Sequence, residues 1–159
     1  MSVNYYAYAV LGCALPKKFP PAIITVRKRA FDHEFPDDGE MKFDPKTAKP
    51  LWLDETEEVE ADYEKYRVVE DWYESDEEAP GQIVVKVEEY GLKIAATTDD
   101  KKLVVGLIVQ TGYDSDVVFM KLDEKVVTET REKVKKLMKA IESWDASKFG
   151  LYTVLHCSY

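Results

Sequence analysis

Two cysteines and two histidines are the first residues to consider as nucleophiles or metal ligands: Cys13, His33, His156 and Cys157. A Cys2His2 set is a common zinc ligand set, and Cys13 with His156 could form a nucleophilic pair if the two terminal segments were neighbours. His156 and Cys157 are adjacent in a predicted strand, however, so their side chains point to opposite faces. The pattern therefore favours buried thiols and a partly exposed histidine, and it predicts no catalytic residue and no metal site.

A second candidate for metal chemistry is the segment 43–52, which reads Phe-Asp-Pro-Lys-Thr-Ala-Lys-Pro-Leu-Trp. It resembles a zinc knuckle of the form Phe-Cys-Pro-x-Cys-Gly-Lys-Pro-x-Trp, with Asp44 and Thr47 at the two cysteine positions. Upstream, residues 29–33 resemble an Arg-Gly-Cys-x-His segment whose cysteine is also replaced. Because thiolates supply most of the affinity of such a site for zinc, we expect the segment to hold no zinc and no other cofactor.

An N-terminal tyrosine-rich strand followed by such a knuckle resembles small uncharacterised proteins encoded by bacteriophages. The likeness covers residues 1–53 at most, and residues 27–53 form its degenerate knuckle-like segment. The resemblance implies a bacteriophage source, and with it a host protein as partner.

The charge of the chain is concentrated in one block. Of 31 acidic and 22 basic residues, thirteen acidic and two basic ones lie within 54–78, a net charge of −11. Residues 1–53 carry a net +2, and residues 79–159 are balanced. A concentrated negative field disfavours direct binding to nucleic acid and favours a partner with a basic surface.

We expect the acidic block to form a helix, because its apolar and aromatic residues recur at steps of three and four. A flexible loop followed by a strand over 66–73 is the alternative. As a helix, 54–78 would span roughly 37 Å and carry about one net charge per 3.4 Å, the axial charge density of one DNA strand. Such an array would mimic nucleic acid. The predicted partner-binding carboxylates are Glu57, Glu60, Glu64, Asp71 and Glu74.

The remaining segments predict their own elements. Residues 4–15 form a central strand with Gly12 at a bulge. Further extended runs are predicted at 22–31, 82–87, 92–97, 103–110, 117–122 and 151–157, with a hairpin turn at 98–101. Between 123 and 143 the period changes to that of a helix. Its predicted inner face is Val127, Thr130, Val134, Leu137, Met138 and Ile141, and its predicted exposed ion pairs are Glu129–Lys133 and Glu132–Lys136.

Length and composition indicate one α+β domain over residues 1–159. The predicted fold is a mainly antiparallel β-sheet with a C-terminal helix packed on one face and a possible acidic helix. With 45% hydrophobic residues in 159, the chain can bury a core without disulfides. The apolar N-terminal run ends at Pro16, too short to span a bilayer, and it lacks a signal-peptide pattern. We expect a cytoplasmic protein that binds no membrane.

Two functions follow from these features. The first is a non-catalytic interaction protein that modulates a host protein through an acidic surface, which as a helix would mimic nucleic acid. The alternative is a small-ligand or nucleotide-binding module with a pocket lined by aromatic residues such as Tyr5, Tyr6 and Tyr8. No phosphate-binding loop, dinucleotide-binding glycine pattern or His-Glu-x-x-His motif is present, so the sequence gives no positive argument for an enzyme.

Overall fold

The structure is a computed structural model that describes residues 4–27, 56–70, 78–98, 102–113 and 121–158. These residues form eight β-strands and one α-helix. In chain order the elements are β1 (Asn4–Ala14), β2 (Pro21–Arg27), β3 (Thr56–Glu64), β4 (Tyr66–Val69), β5 (Ile83–Lys86), β6 (Lys93–Ala96), β7 (Leu103–Tyr113), α1 (Glu124–Ala140) and β8 (Gly150–Ser158). The predicted class, an α+β domain with a mainly antiparallel sheet and a C-terminal helix packed on it, is confirmed.

The main sheet has four antiparallel strands in the order β6-β7-β1-β8. β1 lies between β7 and β8, as its short run of apolar and aromatic residues predicts. The predicted hairpin joins β6 to β7, and the amide of Thr97 donates to the carbonyl of Lys102 across its base. The final strand is also confirmed, and it lies beside β1.

The bulge predicted at Gly12 is wrong. The register of β1 with β7 shifts instead between Ala9 and Val10, where β7 contributes an extra residue. Gly12 lies directly opposite Gly106, and a β-carbon on Gly12 would lie 2.0 Å from the carbonyl oxygen of Val105. Glycine is needed here because the two backbones approach too closely for any side chain.

α1 begins where the sequence predicts, because the side chain of Asp123 accepts a hydrogen bond from the amide of Lys125 at 2.8 Å. The predicted inner face is confirmed by burial of Thr130, Val134, Leu137, Met138 and Ile141, with Val127 half-buried beside them. The surface ion pairs differ from the predicted ones. The structure pairs Glu129 with Lys125 and Glu132 with Lys135.

Both faces of the main sheet carry a hydrophobic core. Val105 packs in the core beneath α1, whereas its neighbour Val104 points to the opposite face and packs with Val10 and Val154. The amide of Cys157 on β8 donates to the hydroxyl of Thr98, which follows β6, at 2.6 Å. Since β6 and β8 are opposite edges of the sheet, this hydrogen bond requires the sheet to curl around the second core.

The predicted acidic helix is wrong for residues 56–70, which form β3 and β4. β3 pairs antiparallel with β2, and we call these two strands the acidic ribbon. In a helix, Glu60 and Glu64 would be like charges one turn apart and would repel each other. In the strand, Glu60 faces the uncharged Ile23 of β2, and residues such as Val59 and Tyr63 favour extended backbone.

A two-stranded parallel pair, β4 with β5, is the exception to the antiparallel pattern among the described strands. Other predictions fall on residues outside the described ranges. These are the knuckle-like segment beyond Arg27 and most of the strand predicted at 117–122, of which Lys121 and Leu122 are described and are not in a strand. In the described part of the chain, no helix has the length and apolarity needed to cross a bilayer.

Candidate interaction surface

The outward face of β3 carries a row of three carboxylates. Glu58, Glu60 and Asp62 are exposed, while Val59 and Ala61 are half-buried. Alternation places Glu58 and Glu60 on one face of the ribbon, opposite Thr25 and Ile23, and Asp62 follows in the stretch before Glu64 where the register with β2 shifts. Residues two apart on a strand are separated by about 6.6 Å. We call Glu58, Glu60 and Asp62 the acidic row.

The structure separates the five carboxylates predicted to bind a partner. Glu60 and Glu64 share the face of the acidic row, but Glu57 lies on the opposite face. Asp71 and Glu74 lie outside the described residues. Sequence reasoning missed Glu58 and Asp62. The signal that could have found them is the strict alternation of acidic with apolar or aromatic residues from 58 to 64.

The acidic row has uncharged neighbours across the ribbon. Glu60 lies opposite Ile23, and Glu58 lies opposite Thr25. Ile23 is 48% exposed, which places a large apolar side chain on the same surface as the carboxylates. Among the described residues, none forms an ion pair with a member of the acidic row. Within the described part of the chain, the acidic row therefore carries negative charge without an ion-pair partner, next to an exposed apolar side chain.

The charge density along β3 is lower than the density predicted for an acidic helix. β3 has nine residues, of which five are acidic and none is basic, and it spans about 30 Å. Its density is therefore about one charge per 6 Å, a little over half that of one DNA strand. The charge density of β3 therefore does not match that of a DNA strand, as the density of a helix would have. An ordered negative surface remains.

The base of the acidic ribbon is anchored to the body of the protein. The hydroxyl of Tyr63 donates to the carbonyl of Pro80 at 2.6 Å, and the side-chain amide of Gln82 donates to the carbonyl of Glu64 at 2.9 Å. Gly81 has a φ of 72° and packs against the carbonyl oxygen of Ile23, where a β-carbon would lie 2.5 Å away. These contacts hold β3 at a fixed place on the molecule.

A polar cluster joins the end of the ribbon to the end of α1. Glu142 accepts hydrogen bonds from the hydroxyl of Tyr66 at 2.5 Å and from the Nζ of Lys65 at 2.9 Å. These hydrogen bonds lower the pKa of Glu142, and the bond to Glu142 raises the pKa of Lys65. Burial raises the pKa of Tyr66, and its hydrogen bond to Glu142 raises it further. The cluster fixes the position of the chain between β3 and β4.

A cavity of about 280 Å³ opens on the curled face of the main sheet. Its floor is apolar, with Val104 and Val154, and Tyr152 forms part of its wall. Lys17 and Lys102 also line it, and both side chains are exposed. Tyr6 and Tyr8, predicted to line a pocket, are not among its lining residues, and the side chain of Tyr5 is outside the described part.

The strand register separates the cysteine and histidine residues that could have formed a nucleophilic pair. β1 and β8 are neighbours, but His156 lies opposite Tyr6, seven residues from Cys13. The two side chains are therefore about 23 Å apart. Burial raises the pKa of Cys13 to about 11, and the carboxylate of Asp145 adds to the shift, so the thiol stays protonated at neutral pH.

Within the described ranges, no group of three or more histidine, cysteine, aspartate or glutamate residues is placed to hold a metal ion.

Comparison of the chain with protein-family models, curated proteins and solved structures finds no match. The surface and the cavity are therefore interpreted from their own chemistry.

Proposed function

We propose that the protein is a non-catalytic interaction protein that binds a partner with a basic surface through the acidic row of β3. The observation that carries this proposal is the set of three exposed carboxylates along β3, none of which forms an ion pair with another described residue. Because the resemblance of residues 1–53 implies a bacteriophage source, the partner we propose is a host protein, and the compartment we propose is the cytoplasm.

Three features favour a partner-binding role for β3 over the alternative that its carboxylates contact only solvent. The base of the ribbon is anchored, so little conformational entropy is lost when a partner binds. Ile23 adds an exposed apolar side chain at the centre of the charged face. Arrays of one sign of charge also accelerate association with an oppositely charged partner.

The test is binding to an immobilised lysine-rich peptide as a function of salt. In the triple variant Glu58→Gln, Glu60→Gln, Asp62→Asn, we expect affinity to fall by roughly tenfold, because each exposed ion pair contributes only modestly. We also expect the salt dependence of binding to flatten, because fewer charges are neutralised.

The matched control changes the same number of exposed carboxylates away from the ribbon, in the variant Glu88→Gln, Glu89→Gln, Glu124→Gln. It should retain nearly all of the affinity. If both variants lose binding equally, the net charge of the chain and not the acidic row is responsible, and the proposal fails. Unchanged binding by the folded ribbon variant also contradicts it.

The cavity supports a second candidate function, the binding of a small ligand. Its apolar floor suits an apolar body, and the amines of Lys17 and Lys102 suit an anionic group at the rim. A volume of about 280 Å³ lies at the lower limit of ligand sites, so the ligand proposed is a small apolar acid and not a whole nucleotide.

This candidate is tested by titrating the protein with 3-phenylpropionate and with its neutral counterpart 3-phenylpropanol. We expect the acid to bind more tightly, and the variant Lys17→Met, Lys102→Met to remove that preference. The control Lys93→Met changes an exposed lysine that does not line the cavity and should retain the preference. Equal binding of the acid and the alcohol to the unaltered protein contradicts the candidate.

A further inference from the structure

The cavity on the curled face is lined by residues from both edges of the main sheet. Thr97 directly follows β6, and Tyr152 and Val154 belong to β8. The hydrogen bond from the amide of Cys157 to the hydroxyl of Thr98 joins the two edges at one place. The cavity is therefore a gap between the edges of a curled sheet, and a ligand inside it lies beside the backbone of β8.

Thr153 of β8 lines this cavity with its backbone. Its side chain is exposed and points to the opposite face of the strand from that of Val154, which is buried under the cavity. Peptide groups alternate in direction along a strand, and the amide of Cys157 points away from β1. The amide and carbonyl of Thr153 therefore also point away from β1, toward the cavity. Among the described residues, none forms a hydrogen bond with them on that side.

The cavity offers three kinds of contact to a ligand. The peptide group of Thr153 offers one donor and one acceptor, as a strand offers them to a neighbouring strand. Val104 and Val154 form an apolar floor, and the amines of Lys17 and Lys102 supply positive charge. An amino-acid residue that ends in a carboxylate and lies beside a strand uses all three contacts, through its amide, its side chain and its charge.

We propose that the cavity binds an N-acylated apolar α-amino acid. The amide N–H of this ligand donates to the carbonyl of Thr153, and one oxygen of its carboxylate accepts from the amide of Thr153. The other carboxylate oxygen faces Lys17 and Lys102, and the apolar side chain packs on Val104 and Val154. A volume of about 280 Å³ suits a single acylated residue. The inference rests on the cavity being the ligand site proposed above, and it adds a backbone-like amide to the small apolar acid.

Three acids with the same apolar side chain test the proposal by calorimetric titration. N-acetyl-leucine carries the amide, 2-acetoxy-4-methylpentanoate replaces its N–H with an ester oxygen, and 4-methylpentanoate lacks the acyl group. We expect N-acetyl-leucine to bind about fivefold more tightly than the ester, because the ester leaves the carbonyl of Thr153 without a donor. Equal binding of all three acids overturns the inference and leaves the cavity as a site for apolar acids. Binding of none overturns both.

The part assigned to the backbone is tested on the protein. Thr153→Ala changes the exposed side chain and keeps the peptide group, so it should bind N-acetyl-leucine as tightly as the unaltered chain does. In NMR spectra of the unaltered chain, the ligand should shift the amide proton of Thr153 downfield. The amide of Leu151 points the same way but does not line the cavity, so its signal should change little. Lost binding in Thr153→Ala, or an unchanged Thr153 amide in the saturated protein, overturns the proposal.

The same chemistry occurs in a free N-acyl amino acid and at the carboxyl end of a peptide. Acetyl-glycyl-glycyl-leucine distinguishes these two sources, because it differs from N-acetyl-leucine only in the length of chain before the last residue. Binding at least as tight as that of N-acetyl-leucine supports a peptide end as the ligand. Weaker binding supports the free compound, since the cavity then excludes a longer chain.

Discussion

Glu142 shows how one side chain connects two distant parts of the chain. It follows the C-terminal end of α1 with a φ of 54°, a left-handed conformation that is unfavourable for residues with a β-carbon. Many helices have glycine at such a position. Here the carboxylate accepts hydrogen bonds from Lys65 and Tyr66, about 76 residues earlier in the sequence. These bonds offset the backbone cost by joining the end of α1 to the start of β4.

We expect Glu142→Gln to lower the thermal unfolding midpoint at neutral pH, because an amide accepts weaker hydrogen bonds than a carboxylate. The folded state lowers the pKa of Glu142 below its usual 4.5, so its contribution to stability is complete above 4.5 and is lost as the pH falls through the lowered pKa. The difference between the two proteins should therefore shrink in acid. Thermal unfolding followed by circular dichroism across this range measures it.

The control for this experiment is Glu124→Gln, which changes an exposed carboxylate that is remote from the cluster. Its effect on the unfolding midpoint at neutral pH should be small. A Glu142→Gln variant that keeps a constant difference from the unaltered protein between neutral and acid pH would show that the carboxylate charge does not stabilise the fold. A second variant, Tyr66→Phe, should cost about 1 kcal/mol through loss of its hydrogen bond.

At the scale of elements, the acidic ribbon shows why periodicity alone misassigned a segment. Val59, Tyr63, Tyr66 and Val69 recur at helical spacing, yet residues 56–70 are extended. The same stretch also alternates acidic and apolar residues from 58 to 64, the period of a strand. Residues 56–64 adopt the strand conformation because β2 forms backbone hydrogen bonds with them. The sequence of 54–78 by itself does not show that β2 is available for pairing.

Gly12 of β1 and Gly106 of β7 face each other in the sheet, and their close approach gives a testable prediction. A β-carbon on Gly106 would lie 2.2 Å from the carbonyl oxygen of Leu11, an overlap that only backbone movement can relieve. We expect Gly106→Ala to lower the free energy of unfolding by about 3 kcal/mol. Chemical denaturation measures this change. Gly150→Ala is the matched control, because Gly150 also lies opposite Gly12 but has open space at its β-carbon.

Gly150→Ala should change the free energy of unfolding by less than about 1 kcal/mol. If Gly106→Ala is equally mild, then the two strands do not approach as closely as the structure indicates, and the steric interpretation of this glycine pair is wrong.

At the scale of the whole molecule, the curled sheet separates the proposed binding surfaces. α1 covers one face at the end where Cys13 and Val105 pack, and the opposite face holds the smaller core around Val10. The cavity opens on that second face, and Tyr152, Thr153 and Val154 of β8 form part of its lining. The acidic row lies on a separate two-stranded ribbon. A partner of the acidic row and a ligand of the cavity can therefore be tested by variants that do not overlap.

The amino-acid sequence by itself determined the elements that depend on local pattern. The apolar run of β1, the turn between β6 and β7 and the amphipathic face of α1 each carry a periodicity that short-range sterics and burial enforce. The concentration of negative charge was also readable directly, since composition needs no structure. The α+β class follows from these features.

Tertiary structure alone decided which distant residues meet. It placed Glu57 on the opposite face from Glu60, separated Cys13 from His156 by strand register, and brought Glu142 to Tyr66. Strand pairing joins segments far apart in the chain, and a shift of one residue in register moves every side chain to the other face. Periodicity within one segment cannot specify that pairing, so the surface that a partner meets is a property of the assembled sheet.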